Sequence, residues 1–269
     1  MDTLPPDTKP SLAGFVKGNT PLVCLTAYTA SMARVMVPYV DLILVGDSLG
    51  MVVYGHANTL SVTMDMMVAH GAAVVRGAPM ARVVVDMPYG SYEQSPDLAL
   101  HNARRLIDET GALAVKLEGG RTMAPTIRLL VENGVPVMGH VGLMPQSVEK
   151  MGGFKIQGHD GAEAAKVKDD AIAVAEAGTF AVVIEGTVEP VAHSITQSLS
   201  IPTIGIGASP ACTGQILVID DVLGMTVKLP RFAKAYANMP SQIAAAVKLY
   251  AEDVRAGRFP APQHCFGVS

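Results

Sequence analysis

Several features that direct a chain towards particular classes of protein are absent from these 269 residues. There is no tryptophan and the formal net charge is -4, whereas nucleic-acid-binding proteins usually carry a basic surface and stacking aromatic residues. No run approaches the roughly 18 consecutive apolar residues of a membrane-spanning helix. The opening MDTLPPDTKPSLAG lacks the basic and apolar segments of a secretory signal. We therefore expect a cytoplasmic protein that binds neither nucleic acid nor membrane, with a short N-terminal arm over about residues 1–10.

Cysteine and histidine are also sparse. Cys24, Cys212 and Cys265 are odd in number and widely separated, so they suggest three reduced thiols rather than a disulfide framework. The seven histidines never form HxH or HExxH, so no zinc-ligand spacing is present.

What the sequence does contain is a repeating alternation of apolar runs and amphipathic segments. Continuous apolar runs are typical of strands buried on both faces. The runs span 22–28, 42–48, 82–88, 112–120, 135–142, 180–186, 201–208 and 214–220, and the last could equally begin a helix. Eight such alternations predict an α/β fold, a (β/α)8 barrel forming a single domain over 1–269. The alternative, a doubly wound open sheet, leads us to expect GxGxxG after the first strand, where TAYTAS stands instead.

Helix punctuation lies between the runs. Ser95 can cap a helix, Pro96 suits its first position and Gly111 ends it. Further helices are predicted at 123–134, 164–178 and 241–257. In the last of these Ser241 is the predicted cap. Its apolar stripe runs through Ile243, Val247, Tyr250 and Val254.

Ionisable residues stand at or near the carboxyl ends of five of the eight runs, where barrel enzymes place their chemistry. We call this set the strand-end ring: Asp47, Asp86, Lys116, Glu118, His140 and Glu185. Lys116 and Glu118 are two residues apart on one strand, so they share a face. The long connection 145–161 is a candidate functional loop over this end.

Each member of the ring also has a purely structural interpretation. Asp47 and Glu185 can cap the helices that follow them, and His140 can be a core histidine with satisfied hydrogen bonds. Lys116 and Glu118 can form a buried ion pair. Coincidence of all these in one place is the less favoured explanation.

The composition of the ring suggests a chemistry. Two aspartates without a Cys/His cluster favour a hard divalent ion, most simply Mg²⁺. A 2-oxo acid could chelate this ion, which would polarise the carbonyl and stabilise an enolate, while Lys116 and His140 neutralise negative charge. Glu185 or Glu118 could be the base that removes a proton next to the carbonyl.

Four segments closely resemble the ketopantoate hydroxymethyltransferase family, and the similarity extends from about residue 10 to 265. They are LVGDSLGMVVYGHANTLSVT (44–63), VKLEGG (115–120), GHVGLMPQSVEKMGGFKIQG (139–158) and IPTIGIGASPACTGQILVIDDVLGM (201–225). The resemblance implies a (β/α)8 barrel enzyme of pantothenate biosynthesis that forms homo-oligomers, usually decamers. It also implies transfer of a one-carbon unit from 5,10-methylenetetrahydrofolate to 3-methyl-2-oxobutanoate, giving 2-dehydropantoate and tetrahydrofolate.

The resemblance further implies roles for individual residues. The Mg²⁺ ligands would be Asp47 and Asp86, with Glu118 close to the metal. The oxo acid would be held by Ser48, Asp86, Lys116 and His140, and the general base would be Glu185. The sequence departs from the family pattern at Thr29, Ser61, Ser209 and Thr213, none of which is a predicted metal ligand, and no folate contact is assigned to any residue.

Two alternatives to this transferase remain open at the level of sequence. One is a Mg²⁺-dependent aldolase or lyase of another small 2-oxo acid. The other is a barrel that binds an oxo acid without catalysis.

Overall fold

A closed barrel of eight parallel strands forms the centre of the protein in a computed structural model, which describes residues 10–148, 153 and 155–267. The strands pair in sequence order, and β8 closes on β1. They are β1 (Leu22–Thr26), β2 (Leu42–Val45), β3 (Val83–Asp86), β4 (Ala114–Glu118), β5 (Val137–Gly142), β6 (Ala181–Glu185), β7 (Thr203–Ile206) and β8 (Gly214–Leu217). Each lies within a predicted run, so the (β/α)8 fold is confirmed. The predicted N-terminal arm, about 1–10, lies outside the described residues except for Pro10.

Helices follow the strands. They are α1 (Ala30–Met36), α2 (Leu49–Val52), α3 (Met64–Gly77), α4 (Pro96–Thr110), α5 (Ala124–Glu132), α6 (Gly161–Glu176), α7 (Glu189–Ser198), α8 (Ile219–Val222) and α9 (Met239–Arg255). Ser95 caps α4, and Gly111 ends it in the left-handed conformation, as predicted. Two predicted starts are wrong: α6 begins at Gly161 with Asp160 as its cap, and α9 is capped by Asn238 rather than Ser241.

Alternate residues of the strands point into the barrel and form its layers. The interior is apolar for most of its depth; its core cluster comprises Phe15, Cys24, Leu42, Leu44, Val84, Ala114, Met138, Ala181, Val183, Ile204 and Ile216. Two residues further along β3, β4, β5 and β6, the next inward side chains are those of Asp86, Lys116, His140 and Glu185. Glu118 lies two residues beyond Lys116 on β4. Adjacent strands bring these side chains side by side, since Asp86 pairs with Lys116 and Glu118 with His140.

The amino ends of the strands are covered by the segment before β1. Phe15 is only 3% exposed and packs edge-on against Phe180, with ring centroids 5.9 Å apart. Arg82 holds this segment by donating to the carbonyl oxygens of Ser11 (2.7 Å) and Ala13 (3.1 Å). Side-chain packing therefore closes the amino end of the barrel, and the strand-end ring lies at the carboxyl end.

The chain divides into two compact units, at Val218 and Ile219. The second contains α8 and α9, and α9 buries none of its residues. Its predicted apolar stripe is exposed: Ile243, Val247, Tyr250 and Val254. The single domain over 1–269 thus stays a prediction. Of the helices in the described residues, none is both long and apolar enough to cross a membrane.

Candidate active site

The first member of the ring, Asp47, lies in the turn after β2. The short helix α2 begins there without a side-chain cap, so the interpretation of Asp47 as a helix cap is wrong. Its carboxylate is buried and accepts a hydrogen bond from the Gln146 amide at 2.9 Å. Gly46 permits the turn, because a Cβ there would lie 2.8 Å from the Ser48 hydroxyl oxygen. That hydroxyl lies 2.8 Å from the hydroxyl of Tyr28 and is only partly buried.

Asp86 and Lys116 form a buried ion pair at the ends of β3 and β4. Lys116 Nζ lies 3.0 Å from Asp86 Oδ1, and Asp86 Oδ2 accepts a hydrogen bond from the backbone N–H of Asp47 at 3.0 Å. Burial works against the charge of Lys116, but the carboxylates of Asp86, Glu118 and Asp47 outweigh it and raise the pKa of Lys116. The lysine is thus a fixed cation between β3 and β5.

His140 sits at the centre of the ring. Its Nδ1 is 3.4 Å from Lys116 Nζ and 3.6 Å from Glu118 Oε1, and its Nε2 is 3.2 Å from Glu185 Oε2. Burial first, and the charge of Lys116 second, lower the pKa of His140, so its imidazole is neutral. Because Lys116 can only donate, a hydrogen bond from it to Nδ1 assigns the imidazole proton to Nε2. That proton faces Glu185, although the N–H and the carboxylate are not aligned well enough for a good hydrogen bond.

Glu185 is the member of the ring that reaches furthest towards solvent. Its side chain is 18% exposed, against 2% for His140. It does not cap the next helix, because α7 begins only at Glu189 and has no side-chain cap. The neighbouring strand passes very close: Gly142, at φ +93°, pairs with Glu185, and a Cβ there would lie 2.3 Å from the Glu185 carbonyl oxygen. The backbone of Glu185 is therefore fixed by the neighbouring strand, whereas its carboxylate is accessible.

The ring carries more negative than positive charge. Burial, reinforced by the charge of Asp86, raises the pKa of Asp47 to about 7. Burial likewise raises the pKa of Glu118 well above its usual range, and Lys116 only partly opposes this. A divalent cation beside Asp47 and Asp86 would relieve this excess, so the residues present fit Mg²⁺, which binds through one or two carboxylates and leaves its other positions to water or substrate.

Both carboxylate oxygens of Glu118 have polar neighbours, as those of Asp86 do. Its Oε2 accepts from the backbone N–H of Gln146 at 3.0 Å, and its Oε1 faces His140. Among the residues described, no group of three or more histidine, cysteine, aspartate or glutamate side chains is arranged to hold one metal ion. The assignment of Glu118 as a metal ligand stays a prediction.

Two residues that form hydrogen bonds with members of the strand-end ring, Gln146 and Tyr92, are not predicted from the sequence. Gln146 lies in the 3-10 turn Pro145–Ser147 and is 4% exposed; Tyr92 lies in the connection after β3 and is 2% exposed. Both occur in conspicuous segments, PQS and YGSYE, but neither is ionisable at neutral pH. The signal that could have revealed Gln146 is its place four residues beyond the end of β5, in the predicted functional loop. Residues 149–152 and 154 of that loop lie outside the described residues.

The four departures from the family pattern stand away from the ring's ion pairs. Thr29 caps α1, and Ser61 is exposed. Ser209 donates to Glu189 at 2.8 Å, and Thr213 lies beside Thr203 at 3.5 Å. Each is explained by a local structural contact or by exposure.

Comparisons with known structures agree with the barrel. The chain resembles 2,3-dimethylmalate lyase, a PEP mutase/isocitrate lyase superfamily member, with a TM-score of 0.58 and 17% identity over 93% of this chain and 90% of that one. It also resembles phosphonopyruvate hydrolase in complex with oxalate and Mg²⁺, with a TM-score of 0.57 and 11% identity over 91% of this chain and 88% of that one. At these identities the likeness concerns the fold alone.

Sequence comparisons are far more specific. A 3-methyl-2-oxobutanoate hydroxymethyltransferase from Rhodospirillum rubrum is 62% identical over 249 residues, covering 92% of this chain and 90% of that protein. One from Bordetella petrii is 58% identical over 253 residues, covering 94% and 92%. The ketopantoate hydroxymethyltransferase family profile matches residues 8–262. The chain therefore belongs to the ketopantoate hydroxymethyltransferase family.

Proposed function

We propose that this enzyme transfers a one-carbon unit from 5,10-methylenetetrahydrofolate to 3-methyl-2-oxobutanoate, giving 2-dehydropantoate for pantothenate biosynthesis. The names of the relatives support the acceptor and the group transferred. The observation that carries the proposal is the accessible carboxylate of Glu185, 3.2 Å from the buried His140 and on the same strand-end ring as Asp47 and Asp86.

Asp47 and Asp86 are the residues we propose to hold Mg²⁺, with Glu118 close to it. When bound, the ion supplies positive charge to the keto and carboxylate oxygens of the oxo acid. The distantly related phosphonopyruvate hydrolase, solved with oxalate and Mg²⁺, supports the pairing of this fold with an ion and a small dicarboxylate.

The oxo acid also needs contacts with the chain. We assign these to the Ser48 hydroxyl, to Asp86 and to the cationic Lys116, with the His140 N–H as a further donor. Lys116 and Ser48 lie on neighbouring parts of the ring, because the Asp47 N–H is bonded to the same Asp86 carboxylate that pairs with Lys116. A small anion is therefore met by donors and fixed positive charge rather than by apolar side chains.

Glu185 is the proposed general base. Its carboxylate takes the proton from C3, the carbon next to the keto group, and the electron pair left on C3 attacks the methylene carbon of the folate. In the whole transfer both bonds from that carbon to N5 and N10 of the folate break, and a bond to C3 and a bond to the oxygen of one water molecule replace them. The C3 proton and one water proton end on the two nitrogens, so tetrahydrofolate leaves and the transferred carbon becomes a hydroxymethyl group. The His140 N–H faces the Glu185 carboxylate across 3.2 Å, while Glu118 stays buried behind the ring.

The proposal also includes the cytoplasm as location and a homo-oligomer, usually a decamer in the family. Exposed apolar side chains along α9 support association, because single soluble chains seldom leave such a stripe uncovered. Light scattering coupled to gel filtration measures the assembly directly.

The decisive experiment is proton NMR in D₂O with the protein, Mg²⁺ and 3-methyl-2-oxobutanoate, before and after tetrahydrofolate and formaldehyde are added. We expect loss of the C3 proton signal that depends on Mg²⁺, followed by a hydroxymethyl signal that depends on folate. Exchange without a product would favour a Mg²⁺-dependent lyase or aldolase with another electrophile. Binding without exchange would favour a non-catalytic barrel.

A further inference from the structure

We propose that Gln146 is a positioning residue that fixes Asp47 and Glu118 for metal and substrate, with Tyr92 as its support. The inference rests on the proposed function, since it concerns the same site. It adds a neutral residue, supplied by the connection after β5, to a site otherwise built from charged strand-end residues.

The side-chain amide of Gln146 has both of its N–H protons engaged. Nε2 donates to Asp47 Oδ2 at 2.9 Å and to the Met87 carbonyl oxygen at 3.0 Å. These two acceptors decide the orientation of the amide, because its oxygen in their place would face a carboxylate and a carbonyl. One oxygen of Asp47 is thereby occupied from the side of the protein, and the carboxylate cannot rotate freely.

Tyr92 completes the arrangement from the opposite end of the amide. Its hydroxyl donates to Gln146 Oε1 and accepts the backbone N–H of Glu118 at 3.2 Å. The Gln146 backbone N–H donates to Glu118 Oε2 at 3.0 Å. Glu118 is therefore held through its backbone by Tyr92 and through its side chain by Gln146.

These bonds connect residues that follow β2, β3 and β5 to Glu118, the last residue of β4. Gln146 and Tyr92 are almost fully buried, so each unmade bond would leave a polar group without water. Partners of metal-binding carboxylates orient the ligands, and losing one such partner typically weakens metal affinity by about 10–100-fold. The geometry thus assigns the turn Pro145–Ser147 a part in holding the proposed metal site.

The matched test uses Gln146→Met, which keeps roughly the size of the side chain and removes both donors, to Asp47 and to the Met87 carbonyl oxygen, without adding charge. Titration calorimetry with Mg²⁺, at saturating 3-methyl-2-oxobutanoate, should show about 10–100-fold weaker binding of the metal. A residue needed only for folding would lower the melting temperature and leave the affinity of the folded protein unchanged.

Gln197→Met is the control, since it is the same substitution at an exposed position of α7. It should bind Mg²⁺ as the wild type does. Tyr92→Phe removes only a hydroxyl and should weaken Mg²⁺ binding by a smaller factor, roughly threefold to tenfold. If Gln146→Met fails to fold, Tyr92→Phe decides by the same titration.

Wild-type Mg²⁺ affinity in folded Gln146→Met would overturn the inference while leaving the proposed function intact. Equal weakening by Gln197→Met would overturn it too, because the effect would then not be specific to Gln146. A wild-type protein that neither binds Mg²⁺ with the oxo acid nor exchanges the C3 proton would instead overturn the proposed function, and with it the inference.

Discussion

The amino and carboxyl ends of the barrel are formed by the same strands, but the side chains inside them differ in polarity. At the amino end, inward residues such as Leu42, Ala114 and Ala181 pack beneath Phe15. At the carboxyl end, one or two steps further along, most of the inward residues are charged and buried, as Asp86 and Lys116 show. The packing at the amino end stabilises the folded protein by removing apolar surface from water. The charges at the carboxyl end destabilise it, because they are removed from water as well.

The two ends of each strand therefore serve different purposes. The apolar end provides a rigid frame, and the polar end uses that frame to keep like charges close together in the absence of ligand. Active sites often lower the stability of the folded protein in this way. Substitutions at the two ends should therefore separate activity from stability.

The largest expected effect is on the rate at the carboxyl end. Glu185→Gln should reduce C3 proton exchange by about 10²–10⁴-fold, because an amide cannot accept the proton. Binding of Mg²⁺ and oxo acid should change little, since Glu185 is not a proposed ligand. Exchange followed by proton NMR, together with calorimetry, tests both statements. Glu176→Gln, on an exposed position of α6, is the matched control, and exchange at the wild-type rate in Glu185→Gln would exclude Glu185 as the base.

Next in size is the loss of packing at the amino end. Phe15→Ala should lower the free energy of unfolding by about 3 kcal/mol, because it removes a buried ring that contacts Phe180. Mg²⁺ affinity of the folded protein should remain unchanged. Chemical denaturation measures the first and calorimetry the second, with Phe232→Ala, at a 46% exposed side chain, as the control. A large change in Mg²⁺ affinity would show that the two ends are not independent.

The smallest predicted effect has the opposite sign. Asp47→Asn should raise the stability of the metal-free protein by about 1 kcal/mol, because it removes one of two adjacent buried carboxylates while the Gln146 amide keeps an acceptor. The same variant should lose the thermal stabilisation that Mg²⁺ with oxo acid gives the wild type. Thermal unfolding with and without both ligands tests this, with the exposed Asp108→Asn as the control. A less stable metal-free Asp47→Asn would contradict the charge-crowding account.

The barrel and the members of its ring could be predicted from the sequence because both depend on local patterns. A continuous apolar run indicates a doubly buried strand, and an ionisable residue where the run ends indicates a polar strand end. Even the weak final run, 214–220, contains a strand, β8, before α8 begins. The two-residue spacing of Lys116 and Glu118 correctly placed both inside.

Other features depend on contacts between distant parts of the chain, which a local pattern does not contain. Gln146 meets Asp47 across 99 positions of sequence. The start of α9 was misplaced for a different reason: Ser241 is an acceptable cap, but Pro240 favours the first turn of a helix and moves the start back to Asn238. An apolar stripe on α9 indicates a surface suited to packing without identifying what packs on it.

The alternation of inward and outward residues along β4 has a consequence for folding. A barrel closed one residue out of step on that strand would bring Leu117 inside and turn Lys116 and Glu118 outwards, against the surrounding helices. Both charges would then be separated from Asp86 and His140, their neighbours in the correct pairing. The residues proposed to serve the reaction thus also penalise the wrong alignment of the strand that carries them, so replacing them by apolar residues should permit more than one way of closing the barrel.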